Sequence, residues 1–290
     1  MSTTLLIKAK TSQKVLEEAV AIGVNIESKL SAYRQDSDIV SINKKAGAEA
    51  VFVNTLTLEA ISIALEMAEA TEGLFDPTIG ALSHFGYQFG WRDEKVPTEK
   101  ECQTLSQRVN YKDVLIHNGS VKLKQKGMAL DLGGIGKGFA VGKIVSFLQS
   151  KGVAKALVSL GGEVYALGKK WKVGVEHPRK KALIAMIETD PKGMCITTSG
   201  DYERFIKDYD HHHILSASSG KSENVFSSLS LVSIKLDPAR MDALNTALFQ
   251  LPWEKQKSFY EKYALEAMAF DKELKAYMSQ GSESLFRLNL

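Results

Sequence analysis

Proline, cysteine and tryptophan are all scarce in this chain, at six, two and three residues in 290. With so few prolines and no stretch rich in Pro, Gly or Ser, nothing marks a linker between modules, and residues 1–290 read as one domain. The two cysteines, Cys102 and Cys195, exclude both a disulfide framework and a cysteine zinc cluster. No apolar run approaches the ~20 residues that cross a bilayer. Charge of one sign is also lacking: 37 Lys and Arg face 34 Asp and Glu. That balance excludes a broad basic surface for nucleic acid or membrane and leaves a small anionic ligand open. The first ten residues carry no basic stretch, apolar core and cleavage site. The chain as written is therefore expected in the cytoplasm, or in the periplasm or at a membrane anchor if it is a processed or trimmed form.

What is present is a core-forming sequence, 44% hydrophobic and 24% charged. A strand near residues 3–9 is followed by Val15, Ala19, Ile22, Ile26 and Leu30 at helical spacing. Leu58, Ile61, Leu65 and Ala68 predict a second helix that Gly73 closes. Thr98 and Glu101 have the spacing of a capping box, and Asn118-Gly119 between two alternating runs predicts a hairpin. Residues 128–132 read as a strand, then a glycine loop, a helix, and a strand at 156–160. Further strands are expected near 171–175, 182–188, 195–198 and 229–235, and helices from about Met241 and over 253–267. The fold class is α+β, a mixed sheet core with flanking helices.

Asp131-Leu132-Gly133-Gly134-Ile135-Gly136-Lys137-Gly138 sits between strand and helix. Its glycines either open backbone N–H groups to a phosphate at the helix start or serve a tight turn only. A Walker loop is excluded by Asp131 and Gly138, and a dinucleotide fingerprint by Phe139 in place of its last small residue. Asp242 and Thr246, four apart, share one helix face. Carboxylate plus hydroxyl suits Mg²⁺; alternatively Asp242 only supports the helix start. His211-His212-His213 lacks a third zinc ligand nearby.

Taken in order, these segments resemble the ApbE family of FAD:protein FMN transferases. The segments are Ser31-Ala32-Tyr33-Arg34-Gln35-Asp36-Ser37-Asp38, Phe75-Asp76-Pro77-Thr78-Ile79-Gly80, residues 130–138, and Leu160-Gly161-Gly162. They continue with Trp171-Lys172-Val173-Gly174-Val175 and Pro178-Arg179, Thr198-Ser199-Gly200-Asp201-Tyr202, His213-Ile214-Leu215, and residues 242–246. The resemblance implies an Mg²⁺-dependent flavinyltransferase that moves FMN from FAD to a Thr or Ser hydroxyl of an acceptor protein and releases AMP. It implies an acceptor flavoprotein such as a subunit of a membrane redox complex.

Carried over residue by residue, it places FAD at Met1, Tyr33, Leu74, Phe75, Asp76, Asp131, Lys137 and Leu215, and the metal at the Gly134 carbonyl, Asp242 and Thr246. Asp242 and Lys137 are the catalytic candidates, and Asp242→Ala is expected to abolish activity with the melting almost unchanged. The alternatives are an Mg²⁺-dependent FAD pyrophosphatase and a flavin-binding protein without turnover. The chain departs from the family pattern at Ser216-Ala217, where Asp-Pro is usual, and at Gly142, where Asp is usual.

Overall fold

The computed structural model describes residues 3–288. In chain order its first elements are β1 (Leu5–Ala9), α1 (Gln13–Leu30), α2 (Asp38–Lys44), β2 (Val51–Phe52), α3 (Thr55–Ala70), α4 (Gly80–Leu82) and α5 (Glu99–Ser106). Next come β3 (Val114–His117), β4 (Ser120–Leu123), α6 (Gly136–Ser150), β5 (Ala156–Leu160), β6 (Glu163–Leu167), β7 (Lys172–Glu176), β8 (Leu183–Glu188) and β9 (Met194–Gly200). The last are β10 (Ser228–Ser233), α7 (Pro238–Leu248), α8 (Lys257–Tyr263), β11 (Glu266–Phe270), β12 (Ala276–Met278) and β13 (Phe286–Leu288). Helices and three sheets thus make up an α+β fold, and the sheets are antiparallel at every named strand pairing rather than mixed as expected. Among the described residues no helix is long and apolar enough to cross a membrane.

The chain forms two compact units that interleave in sequence. One comprises Asn25–Gly136 and Glu203–Glu223; the other comprises residues 3–24, Lys137–Tyr202 and 224–288.

The second unit is built on a seven-stranded sheet of order β1-β5-β6-β9-β10-β11-β12, antiparallel at every pairing. Its interior strand β10 is buried at all six positions, as a strand covered on both faces must be. Ile196, Val232, Met268 and Phe270 join Ile184, Ile187 and Phe286 of the smaller sheet β13-β8-β7 in one apolar core. The opposite face is covered by α7, whose Asn245 donates to the Thr197 hydroxyl and to the Leu229 carbonyl, each at 3.2 Å. Two glycines permit close approaches. A Cβ on Gly138 would lie 2.1 Å from the Pro238 carbonyl oxygen, and one on Gly162 would lie 2.3 Å from that of Thr198.

The first unit holds α2, α3, α5 and the three-stranded sheet β2-β4-β3. The β3–β4 hairpin turns at Asn118 and Gly119, with φ of 47° and 76°. Thr98 and Glu101 close α5 with the reciprocal bonds of a capping box.

Two expectations fail. Residues 128–132 make only an isolated bridge, Ile79 to Ala129, because their backbone is claimed elsewhere. The Leu130 N–H and carbonyl both bond the Asn43 side chain, at 2.7 and 2.9 Å, and the Asp131 N–H bonds the Pro77 carbonyl at 2.8 Å. The helix expected over 253–267 stops at Tyr263. Ala264 is left-handed, at φ 51°, and the chain becomes β11, which completes the hydrogen bonding of β10.

Candidate active site

In the second unit Lys137, Gly138, Glu163 and Thr197 meet Asp242, Asn245 and Thr246 of α7. Asp237 caps this helix by accepting from the Ala239 and Arg240 N–H groups, so Asp242 is free of that duty and sits one turn in. Asp242 is buried, 2% exposed. Its Oδ2 accepts the Gly138 N–H at 2.9 Å, and its Oδ1 lies 3.2 Å from Lys137 Nζ. The side-chain-free Gly138 is what brings α6 this close to α7. The reading of Asp242 as a simple helix-start acid is therefore replaced by a more specific one, a carboxylate joining two helices.

Glu163, at the start of β6, completes the cluster. Thr197 donates to its Oε1 at 2.8 Å, and Lys137 Nζ lies 3.9 Å from the same oxygen. Burial and the adjacent Asp242 carboxylate drive the Glu163 carboxyl well above its ordinary range, against the pull of Lys137. Its Oε2 is buried with no hydrogen-bond donor, as is the Asn245 Oδ1. Thr246 donates its hydroxyl to the Asp242 carbonyl at 3.1 Å, which leaves its oxygen able to accept or ligate.

This donor set fits a hard divalent cation. It offers a buried carboxylate, a hydroxyl, and buried carboxyl and amide oxygens whose lone pairs meet no donor. Among the described residues no group of three or more His, Cys, Asp and Glu side chains is arranged to hold a metal. A cation here therefore depends on water or phosphate oxygens for much of its shell.

The first unit carries a second cluster. Asp131 accepts from the Ser83 hydroxyl at 2.7 Å and the Gly133 N–H at 2.9 Å, and His84 Nε2 lies 3.2 Å away. Burial would raise this carboxyl, but His84, Ser83 and Gly133 together hold it far below the ordinary range. Gly134 lies in the turn where the Ile135 and Gly136 N–H groups both bond the Leu132 carbonyl. Tyr33 is 40% exposed, and its hydroxyl donates to the Phe89 carbonyl and accepts from Arg204, each at 2.9 Å.

Other candidates are committed locally. Asp76 accepts from the Thr78 N–H and hydroxyl and from the Tyr111 N–H, so it holds the turn after Phe75. Phe75 is buried and Leu74 half-buried. Leu215 is packed among Leu82, Tyr87, Phe89 and Ile206, which leaves its backbone rather than its side chain to meet a ligand. Met1 lies outside the described residues. Ser216 is buried, and its hydroxyl bonds Ser218 Oγ at 3.0 Å and accepts the Ser219 N–H at 3.4 Å.

Sequence reasoning passed over Glu163, Ser83 and His84. Glu163 carried a usable signal, a lone acid directly after Leu160-Gly161-Gly162 and before an apolar strand.

Comparison with known proteins identifies relatives of the whole chain. The model of the ApbE family matches residues 1–269. A protein of Treponema pallidum named FAD:protein FMN transferase is 32% identical over 275 residues, covering 86% of this chain and 74% of that protein. One of the same name from Klebsiella pneumoniae is 30% identical over 261 residues, covering 88% and 81%. The crystal structure of the ApbE protein from Thermotoga maritima superimposes with a TM-score of 0.88 at 28% identity, covering 98% of this chain and 96% of that one.

Proposed function

The chain belongs to the ApbE family, and from that premise we propose that it transfers FMN from FAD to a hydroxyl of an acceptor protein with the help of Mg²⁺. The acceptor oxygen forms a bond to the FMN phosphorus, the pyrophosphate P–O bond breaks, AMP leaves with the bridging oxygen, and the hydroxyl proton is released. Because nucleophile and leaving group are both oxygens on phosphorus, the protein's task is positioning and charge.

The observation that carries this reading is the buried Asp242 carboxylate, held by Lys137 and the Gly138 N–H beside an unpaired Glu163 oxygen. Mg²⁺, when bound, supplies a Lewis acid for the pyrophosphate oxygens. Asp242 and Thr246 are its side-chain ligands, and the Gly134 carbonyl joins them on the family resemblance alone. Lys137 brings a positive charge to the leaving phosphate. Asp131 and Tyr33, each fixed by several hydrogen bonds, orient FAD without having to reorganise, and Leu74, Phe75, Asp76 and Leu215 contribute shape. The acceptor is a flavoprotein, such as a subunit of a membrane redox complex.

Incubation with FAD, with and without Mg²⁺ and an acceptor protein, tests the proposal. Flavin bound covalently to the acceptor is the expected product. Free FMN regardless of acceptor would make the protein a pyrophosphatase, and unchanged FAD would make it a binder.

A further inference from the structure

Large aromatic side chains normally lie buried, yet the first unit exposes two pairs that touch, Phe205 with Tyr209 and Tyr33 with Trp91. Trp91 and Tyr33 are each 40% exposed, with ring centroids 5.6 Å apart and planes inclined at 37°. Neither is loosely held. The Tyr33 hydroxyl is fixed by Phe89 and Arg204, the guanidinium carbon lies 5.8 Å from the Tyr33 ring centre, and His84 meets the ring edge-on at 6.2 Å.

Trp91 is set by its loop. Gln88 and Gly90 both take left-handed conformations, at φ 57° and 75°, and the Trp91 N–H returns to the Gln88 carbonyl at 3.0 Å. The Lys95 N–H closes the loop on Tyr87 at 2.9 Å. Such turns, with two backbone reversals in three residues, set the backbone from which the indole meets Tyr33. An aromatic surface that is rigid and partly exposed is suited to a flat ligand, because little side-chain freedom is lost on binding.

We propose that Trp91, backed by Tyr33 and Arg204, is the surface on which the isoalloxazine ring of the flavin stacks. The inference rests on the FAD reading above and adds to it the residue that recognises the flavin half of the substrate. The isoalloxazine is electron-poor and the indole electron-rich, which favours offset stacking. Arg204 beside the platform suits the carbonyl oxygens at the pyrimidine edge of the flavin, a run of acceptors that adenine does not offer. The flavin half is also the part common to substrate and transferred product, so a platform for it serves both.

The test compares the parent with Trp91→Ala and Trp91→Phe for binding FAD, FMN and ADP, followed by flavin fluorescence and by calorimetry. Stacking on indole quenches flavin emission. Trp91→Ala should weaken FAD and FMN by about tenfold, restore flavin emission in the bound state, and leave ADP affinity unchanged, while Trp91→Phe recovers most of the affinity. Equal loss for ADP would assign the platform to adenine and overturn the proposal, as would parent-like affinity and quenching in Trp91→Ala. Failure of the parent itself to bind FAD would instead overturn the functional reading on which the proposal rests.

Discussion

Replacing Asp242 separates its two duties, because alanine and asparagine remove different things. In Asp242→Ala the buried Gly138 N–H loses its acceptor, and an unsatisfied buried donor costs about 1–3 kcal/mol. Lys137, 28% exposed, turns to water and adds little. Relief of the repulsion felt by Glu163 offsets part of the loss. A net destabilisation of about 2 kcal/mol lowers the melting temperature by roughly 4–8 °C, a larger shift than the almost unchanged melting expected from the sequence.

Asp242→Asn behaves differently. Its amide oxygen keeps the Gly138 bond, while its NH₂ takes the place of Oδ1 beside Lys137 Nζ, which turns to water, so melting should stay within about 2 °C of the parent. Both variants lose the charge that attracts Mg²⁺. Circular dichroism melts with and without Mg²⁺, alongside FMN transfer, provide the assay: Mg²⁺ should stabilise the parent by mass action and neither variant, and transfer should fall in both by ~10²-fold or more. Parent-like melting of Asp242→Ala would refute the helix-joining role. Stabilisation of Asp242→Asn by Mg²⁺ to the parent's extent would refute ligation.

Lys137→Met should weaken FAD binding by about tenfold at low salt and less at high salt, since the lost attraction is screened; fluorescence titration at two ionic strengths measures it. Ser216→Asp should leave FMN transfer within about tenfold, because Ser216 already makes the local bonds that hold its loop; a rise of ~10²-fold in transfer rate would show that the chain lacks a catalytic carboxylate there. Asp131 titrates below its ordinary range when folded, so its contribution to stability is present above the unfolded value of about 4 and is lost as pH falls through the folded value. Asp131→Asn should accordingly melt below the parent at neutral pH, with the gap narrowing as the pH is taken below about 4; a gap independent of pH would contradict the assignment.

Much of this was legible in the sequence, where local chemistry decides. The capping box at Thr98 and Glu101 and the Asn118-Gly119 hairpin depend on a few adjacent residues and formed as expected. Strand 128–132 and the helix over 253–267 failed because partners far along the chain outbid local preference: the Asn43 amide in one case and the open edge of β10 in the other. The same holds for the site. Asp242, Thr246 and Lys137 could be picked out by spacing and charge. That Asp242 bonds the start of α6, and that Glu163 lies against it, depends on sheet register, Glu163 opposite Thr197 and Asn245 above both.

The interleaving of the two units bears on how the chain leaves the ribosome. The main sheet of the second unit needs β10 between β9 and β11, and β9 is separated in sequence from the other two by residues 203–223 of the other unit. A nascent chain that has emerged only as far as Tyr202 has β1, β5, β6 and β9 but not α7 to cover Glu163 and Thr197, and β9 waits with an open edge. Such an edge is a template for wrong pairing, and long-range closure is slow. Neither unit can be produced as one uninterrupted stretch of sequence, so fragments cut at positions 136 or 202 should be recovered as aggregates rather than as folded halves.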